Sequence, residues 1–131
     1  MGKIYRGRRM NPVDETLSDV LIAVDGKPLK QVVRHSPTGM EWGFGGSGPA
    51  DLALSILTDV LGGRVELADL YYQEFKMDFV AAWENEWSLP ETTINDWLTV
   101  KTGSGIAELI KKFDALDEEQ RIGVKYSRVM P

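Results

Sequence analysis

No cysteine occurs anywhere in the 131 residues, and histidine occurs once, at position 35. The first absence excludes disulfides, zinc–thiolate centres, iron–sulfur clusters and a thiol nucleophile. It is compatible with a reducing compartment, and a cytoplasmic location is expected. The second absence rules out a metal site built from several histidines of one chain. Any Ser-His-Asp triad would have to use His35. No metal and no cofactor is expected. No apolar run approaches the ~20 residues that span a bilayer, so no membrane association is expected. The opening Met1-Gly2-Lys3-Ile4-Tyr5-Arg6 carries charge but leads into no apolar h-region, so a signal peptide is not expected either. Internal repeats and low-complexity tracts are absent.

Basic charge is in short supply. Fifteen Lys/Arg stand against twenty Asp/Glu, a net charge of −5, which argues against general nucleic-acid binding. The average hides an asymmetry. Residues 1–40 hold seven basic and four acidic side chains, and residues 41–131 hold eight and sixteen. The first third can therefore present a local basic surface on an acidic protein. The plainer alternative is two ordinary solvated faces.

What is present reads as one α+β domain over residues 1–131, with an N-terminal antiparallel sheet of three or four strands packed on a helical C-terminal portion. The sheet is expected over about 3–44. Lys3 to Arg8 suits a short strand, Met10 to Thr16 a loop, and the β-branched run Asp19 to Val24 a second strand. Asp25-Gly26 is a hairpin signal, because both turn positions need positive φ. Leu29 to Arg34 is then the return strand, and Met40 to Phe44 a short fourth. The helical portion is expected over about 48–117. Gly48-Pro49 starts a helix that Gly62-Gly63 stops. Its polar residues Asp51, Ser55, Thr58 and Asp59 share one narrow face, and the rest is apolar, so it is expected at the centre of the core. Leu67, Tyr71, Phe75, Phe79 and Trp83 repeat every four residues and predict one helix over 66–84. Ser88-Leu89-Pro90-Glu91 matches a capping box ahead of a third helix ending near Val100. Ile106, Leu109, Ile110, Phe113 and Leu116 form the stripe of a fourth, and alternation predicts a C-terminal strand over about 121–129.

Two segments carry a resemblance. Tyr5-Arg6-Gly7-Arg8-Arg9, and then Glu41-Trp42-Gly43-Phe44-Gly45-Gly46-Ser47-Gly48-Pro49-Ala50 followed by Leu52-Ala53-Leu54, resemble a family of small bacterial and bacteriophage proteins known only as a domain of unknown function. Tyr71, Phe75-Lys76 and Trp97-Leu98 fit the same pattern, and the likeness spans roughly residues 3–100. The resemblance implies an intracellular protein of phage or mobile-element origin. It brings no assigned activity.

No catalytic motif stands out, so the candidate residues are those of a ligand site. Gly45, Gly46, Ser47 and Gly48 precede a helix, where free N–H groups and the helix dipole favour an anion. No Gly-Lys-Ser/Thr follows, so this is not a Walker loop. Close strand-to-helix packing explains the glycines equally well. Arg6, Arg8 and Arg34, with His35 and Trp42, complete the candidate set; Arg6 and Arg8 share a strand face by the two-residue period. The three tryptophans Trp83, Trp87 and Trp97 suit core or interface. Three functional readings stay open. The first is a non-enzymatic accessory protein that binds a host protein or a small anionic, nucleotide-like ligand, in counter-defence or regulation. The second is a small enzyme for a phosphorylated or nucleotide substrate, using His35 and a carboxylate. The third is a structural homo-oligomer paired through the 106–116 stripe.

Overall fold

A computed structural model describes residues 2–10 and 19–121. The fold is α+β. Four antiparallel strands, β1 (Ile4–Arg9), β2 (Val20–Val24), β3 (Lys27–Pro28) and β4 (Glu86–Pro90), form one sheet in the order β3-β2-β1-β4. Alternation in β1 buries Tyr5 and Gly7 and exposes Arg6 and Arg8. Cross-strand register places Gly7 opposite Ile22 on one side and Trp87 on the other. Tyr5, Gly7, Ile22, Val24, Trp87 and Leu89 therefore share the inner face, and Arg6, Arg8, Leu21, Ala23, Glu86 and Ser88 the outer one. The β2–β3 hairpin turns at Asp25 (φ 49°) and Gly26 (φ 80°), as the Asp-Gly signal requires.

The inner face packs on α1 (Ser47–Val60), whose fourteen residues are all buried except Ser47 and Asp59. Around it lie α2 (Val65–Asp69), α3 (Tyr72–Asp78) and a 3-10 turn (Val80–Ala82). The helix α4 (Glu91–Thr102) follows β4 directly and ends at Gly103 in the left-handed conformation (φ 82°). The helix α5 (Ile106–Asp114) follows, with Ile106, Leu109 and Phe113 buried in the protein's own core.

Four local expectations are corrected. The return strand is confined to Lys27–Pro28; one more N–H, that of Leu29, still donates to the Ile22 carbonyl of β2 (3.1 Å), and the later donors go elsewhere. The Val32 N–H donates to Ser55 Oγ (2.8 Å), and those of Arg34, His35 and Ser36 donate to the Asp51 carboxylate. The fourth strand is Glu86–Pro90 rather than Met40–Phe44. That placement removes the capping box: Ser88 sits in the strand, and Glu91 extends the ladder. Its N–H donates to the Lys3 carbonyl (2.8 Å), and its Oε1 accepts the Lys3 N–H (3.2 Å). The helix expected over 66–84 is broken at Leu70-Tyr71, where the N–H groups bond three residues back, to Leu67 and Ala68. The loop over Met10–Thr16 falls mostly, and the strand over about 121–129 almost wholly, outside the described residues.

Candidate binding site

The candidate residues occupy three separate places. Arg6 and Arg8 stand on the outer face of the sheet, exposed among the described residues. They line an open groove of about 620 Å³ with Leu21, Ala23, Glu86 and Ser88. Among the described residues neither guanidinium has an ion-pair or hydrogen-bond partner. Leu21 beside them is half exposed. The groove thus combines two cations unpaired among the described residues, whose Cα atoms are about 7 Å apart by strand geometry, with Glu86 in register with Arg8 and a small apolar wall.

Arg34 and His35 lie on a loop wrapped over α1. Asp51, inaccessible to solvent, projects from the second turn of that helix into the loop. Its oxygens accept N–H groups from Arg34 (3.1 Å), His35 (2.9 Å) and Ser36 (3.0 Å), and the Gln31 side-chain amide (3.2 Å). Burial alone pushes this carboxyl up, but the backbone N–H groups of Ser36, Arg34 and His35 and the Gln31 amide outweigh it and hold it below its ordinary value. Both side chains are engaged within the protein. Arg34 pairs with Asp69, while His35 Nε2 meets the Tyr72 hydroxyl at 2.6 Å with the two rings stacked.

Trp42 is fully buried, its Nε1 donating to the Glu84 carbonyl at 2.5 Å. The arginine that reaches it is Arg9, on the inner face. Arg9 lies over the indole (4.7 Å to the centroid), pairs with Glu41 (2.6 Å) and donates to the Trp42 carbonyl (3.1 Å). Gly45 to Gly48 lead into α1 without a side-chain cap. A Cβ on Gly48 would lie 2.6 Å from Glu41 Cβ, so this glycine serves the close approach of the Glu41 segment to the helix. A small cavity of about 260 Å³ lies beside the loop, against Phe44, Ser47 and Gly48, but Glu41 is in its wall. Neither Arg6, Arg8 nor Arg34 lines it.

Sequence reasoning missed the roles of Gly7, Arg9 and Asp51. A Cβ on Gly7 would fall 2.5 Å from the Trp87 indole, which stacks on Trp83 (3.9 Å) and meets Trp42 edge-on (5.7 Å). The Gly7-x-Arg9 pairing on β1 was the available signal, since a period of two puts both on the inner face. Among the described residues no group of three or more His, Asp or Glu is placed to hold a metal ion. No helix among them is long and apolar enough to cross a membrane.

This arrangement of sheet, glycine loop and central helix falls within residues 5–100, which match the model of a family of unknown function, DUF6166. The chain belongs to that family. No curated protein and no solved structure matches it.

Proposed function

We propose that this protein is a non-enzymatic accessory binding protein of phage or mobile-element type, acting in counter-defence or regulation, and that it takes an acidic segment of a host protein on the outer face of its sheet. The supporting observation is the pair Arg6 and Arg8. They are unpaired among the described residues and flank an open groove, whereas Arg9, Arg34 and Arg64 are each engaged with a carboxylate of the chain. An open, shallow groove suits a macromolecular surface better than an enclosed small molecule. The guanidinium fork is shaped for carboxylates.

The reading is tested by fluorescence anisotropy with a labelled polyglutamate peptide at low salt. Binding is expected for the wild type. It should weaken about tenfold in the Arg6→Ala/Arg8→Ala double variant, from two exposed pairs at roughly 0.2–1 kcal/mol each. Equal affinity in the two proteins, or no binding by either, overturns it.

A further inference from the structure

A second cavity, of about 580 Å³, lies between the 30–32 segment and the C-terminal half of α1, and shares no lining residue with the sheet groove. Lys3, Lys30, Val32, Thr58, Asp59 and Val65 are among its walls. Asp59 is already matched, since its Oδ2 accepts from the Tyr5 hydroxyl (2.7 Å) and pairs with Lys3 Nζ (3.0 Å). Lys30 has no ion-pair or hydrogen-bond partner among the described residues, so the cavity keeps one uncompensated cation.

Thr58 supplies an independent observation. It is 9% exposed, and its Oγ1 is buried without a hydrogen-bond partner. A threonine in a helix ordinarily satisfies itself on the carbonyl four residues back. Ser55, Thr99 and Thr102 do so here, donating to Asp51, Asn95 and Leu98 at 2.6, 2.7 and 2.8 Å. Thr58, a residue of the cavity lining, forgoes that bond and keeps a buried, unpaired hydroxyl.

The helix terminus at this end, normally hostile to anions, is covered. The carbonyls of Asp59 and Thr58 accept the N–H groups of Gly62 (3.1 Å) and Gly63 (2.8 Å), and Arg64 donates to the Leu61 carbonyl (3.0 Å). From these observations we propose that the cavity binds a small organic acid. Lys30 meets its carboxylate or phosphate, the Thr58 hydroxyl adds a hydrogen bond, and Val32 and Val65 face its apolar part.

Isotope-labelled protein titrated with butyrate and, separately, with inorganic phosphate tests this by amide NMR shifts. Saturable shifts are expected at Val32, Gly62 and Gly63. Shifts with butyrate alone assign a carboxylate, with phosphate alone a phosphate group, and with both an oxyanion site of either kind. The exposed Lys30→Gln change should abolish them. Thr58→Val, which removes the unpaired hydroxyl at nearly constant volume and so keeps the fold, should weaken them severalfold. No saturable shift with either probe, or shifts unchanged in either variant, overturns the proposal.

Discussion

The Asp51 carboxylate accepts the backbone N–H of Ser36 at 3.0 Å, and through the same two oxygens it also holds Arg34 and His35. A helix side chain here does what a neighbouring strand would otherwise do. It satisfies consecutive backbone donors of a loop that has left the sheet. Asp51→Ala strands all three N–H groups and removes one of the two hydrogen bonds of the Gln31 amide. Each stranded donor costs about 1–3 kcal/mol, and relaxation of the loop toward water recovers part, so a loss of about 3 kcal/mol is expected in urea unfolding. A loss under 1 kcal/mol would show that the loop is not held by this residue.

The same contacts fix a pH dependence. The folded Asp51 pKa is depressed below its ordinary 3.8. Its contribution is therefore complete above the unfolded value and fades as the pH falls below that value through the folded one. Wild-type stability should drop on acidification below about pH 4, and Asp51→Asn should show a shallower drop over that range. Parallel acid profiles for the two proteins would exclude Asp51 as a source of the slope.

Gly7 and Trp87 face each other across β1 and β4 with no room for a methyl group between them. The indole cannot retreat, because Trp83 is stacked on it and Trp42 abuts it. Gly7→Ala should cost about 1–3 kcal/mol, the usual price of overpacking, and should change the tryptophan near-ultraviolet circular dichroism. Ala23, opposite Arg6 on the outer face, is the control. Ala23→Ser there should shift stability by no more than about 0.5 kcal/mol.

Much of the fold was legible because its signals are local. The Asp25-Gly26 turn, the wide apolar surface of α1 and the α5 stripe each follow from neighbouring residues. What escaped depended on distant partners. Leu29 to Arg34 alternates like a strand, yet after Leu29 its Val32 and Arg34 donors find Ser55 and Asp51, from another element. The β4 strand was hidden because Ser88 and Glu91 have the spacing of a cap, while the strand exists only through its pairing with β1. The four-residue repeat from Leu67 to Trp83 survives a broken helix, since each piece still turns its apolar side inward. For the candidate site, the two-residue period placed Arg6 and Arg8 together. Which face of β1 would be covered depended on Tyr5 reaching Asp59, and that is a long-range contact.

Arg9 shows the consequence of lying on the opposite face from Arg8. Its side chain is 24% exposed and that of Glu41 12%, so the pair is screened from water more than a surface bridge. Arg9→Met keeps much of the side-chain volume but takes the cation from the Glu41 carboxylate, which retains the Trp42 N–H (3.0 Å), and the donor from the Trp42 carbonyl. The cost should lie between that of a surface pair and a buried one, about 2 kcal/mol. In a double-mutant cycle with Glu41→Gln, a coupling near 1 kcal/mol is expected. Additive losses would mean that Arg9 acts through Trp42 alone.

The glycine loop can be tested glycine by glycine. Alanine at position 48 gains up to about 1 kcal/mol of helix propensity. Its Cβ nevertheless overlaps Glu41 at both the Cβ (2.6 Å) and the backbone N (3.2 Å), and the backbone cannot step aside. Overpacking typically costs about 1–3 kcal/mol, so Gly48→Ala should be net destabilising. Gly46→Ala meets only the Phe44 ring, at 2.5 Å, and that side chain is 52% exposed and free to swing, so a smaller loss is expected. Gly45→Ala meets nothing nearer than Met77 Sδ at 3.9 Å and should be neutral. That descending order in thermal unfolding is the signature of glycines selected for packing. A loop kept for backbone contact with a ligand would instead show three nearly neutral stabilities.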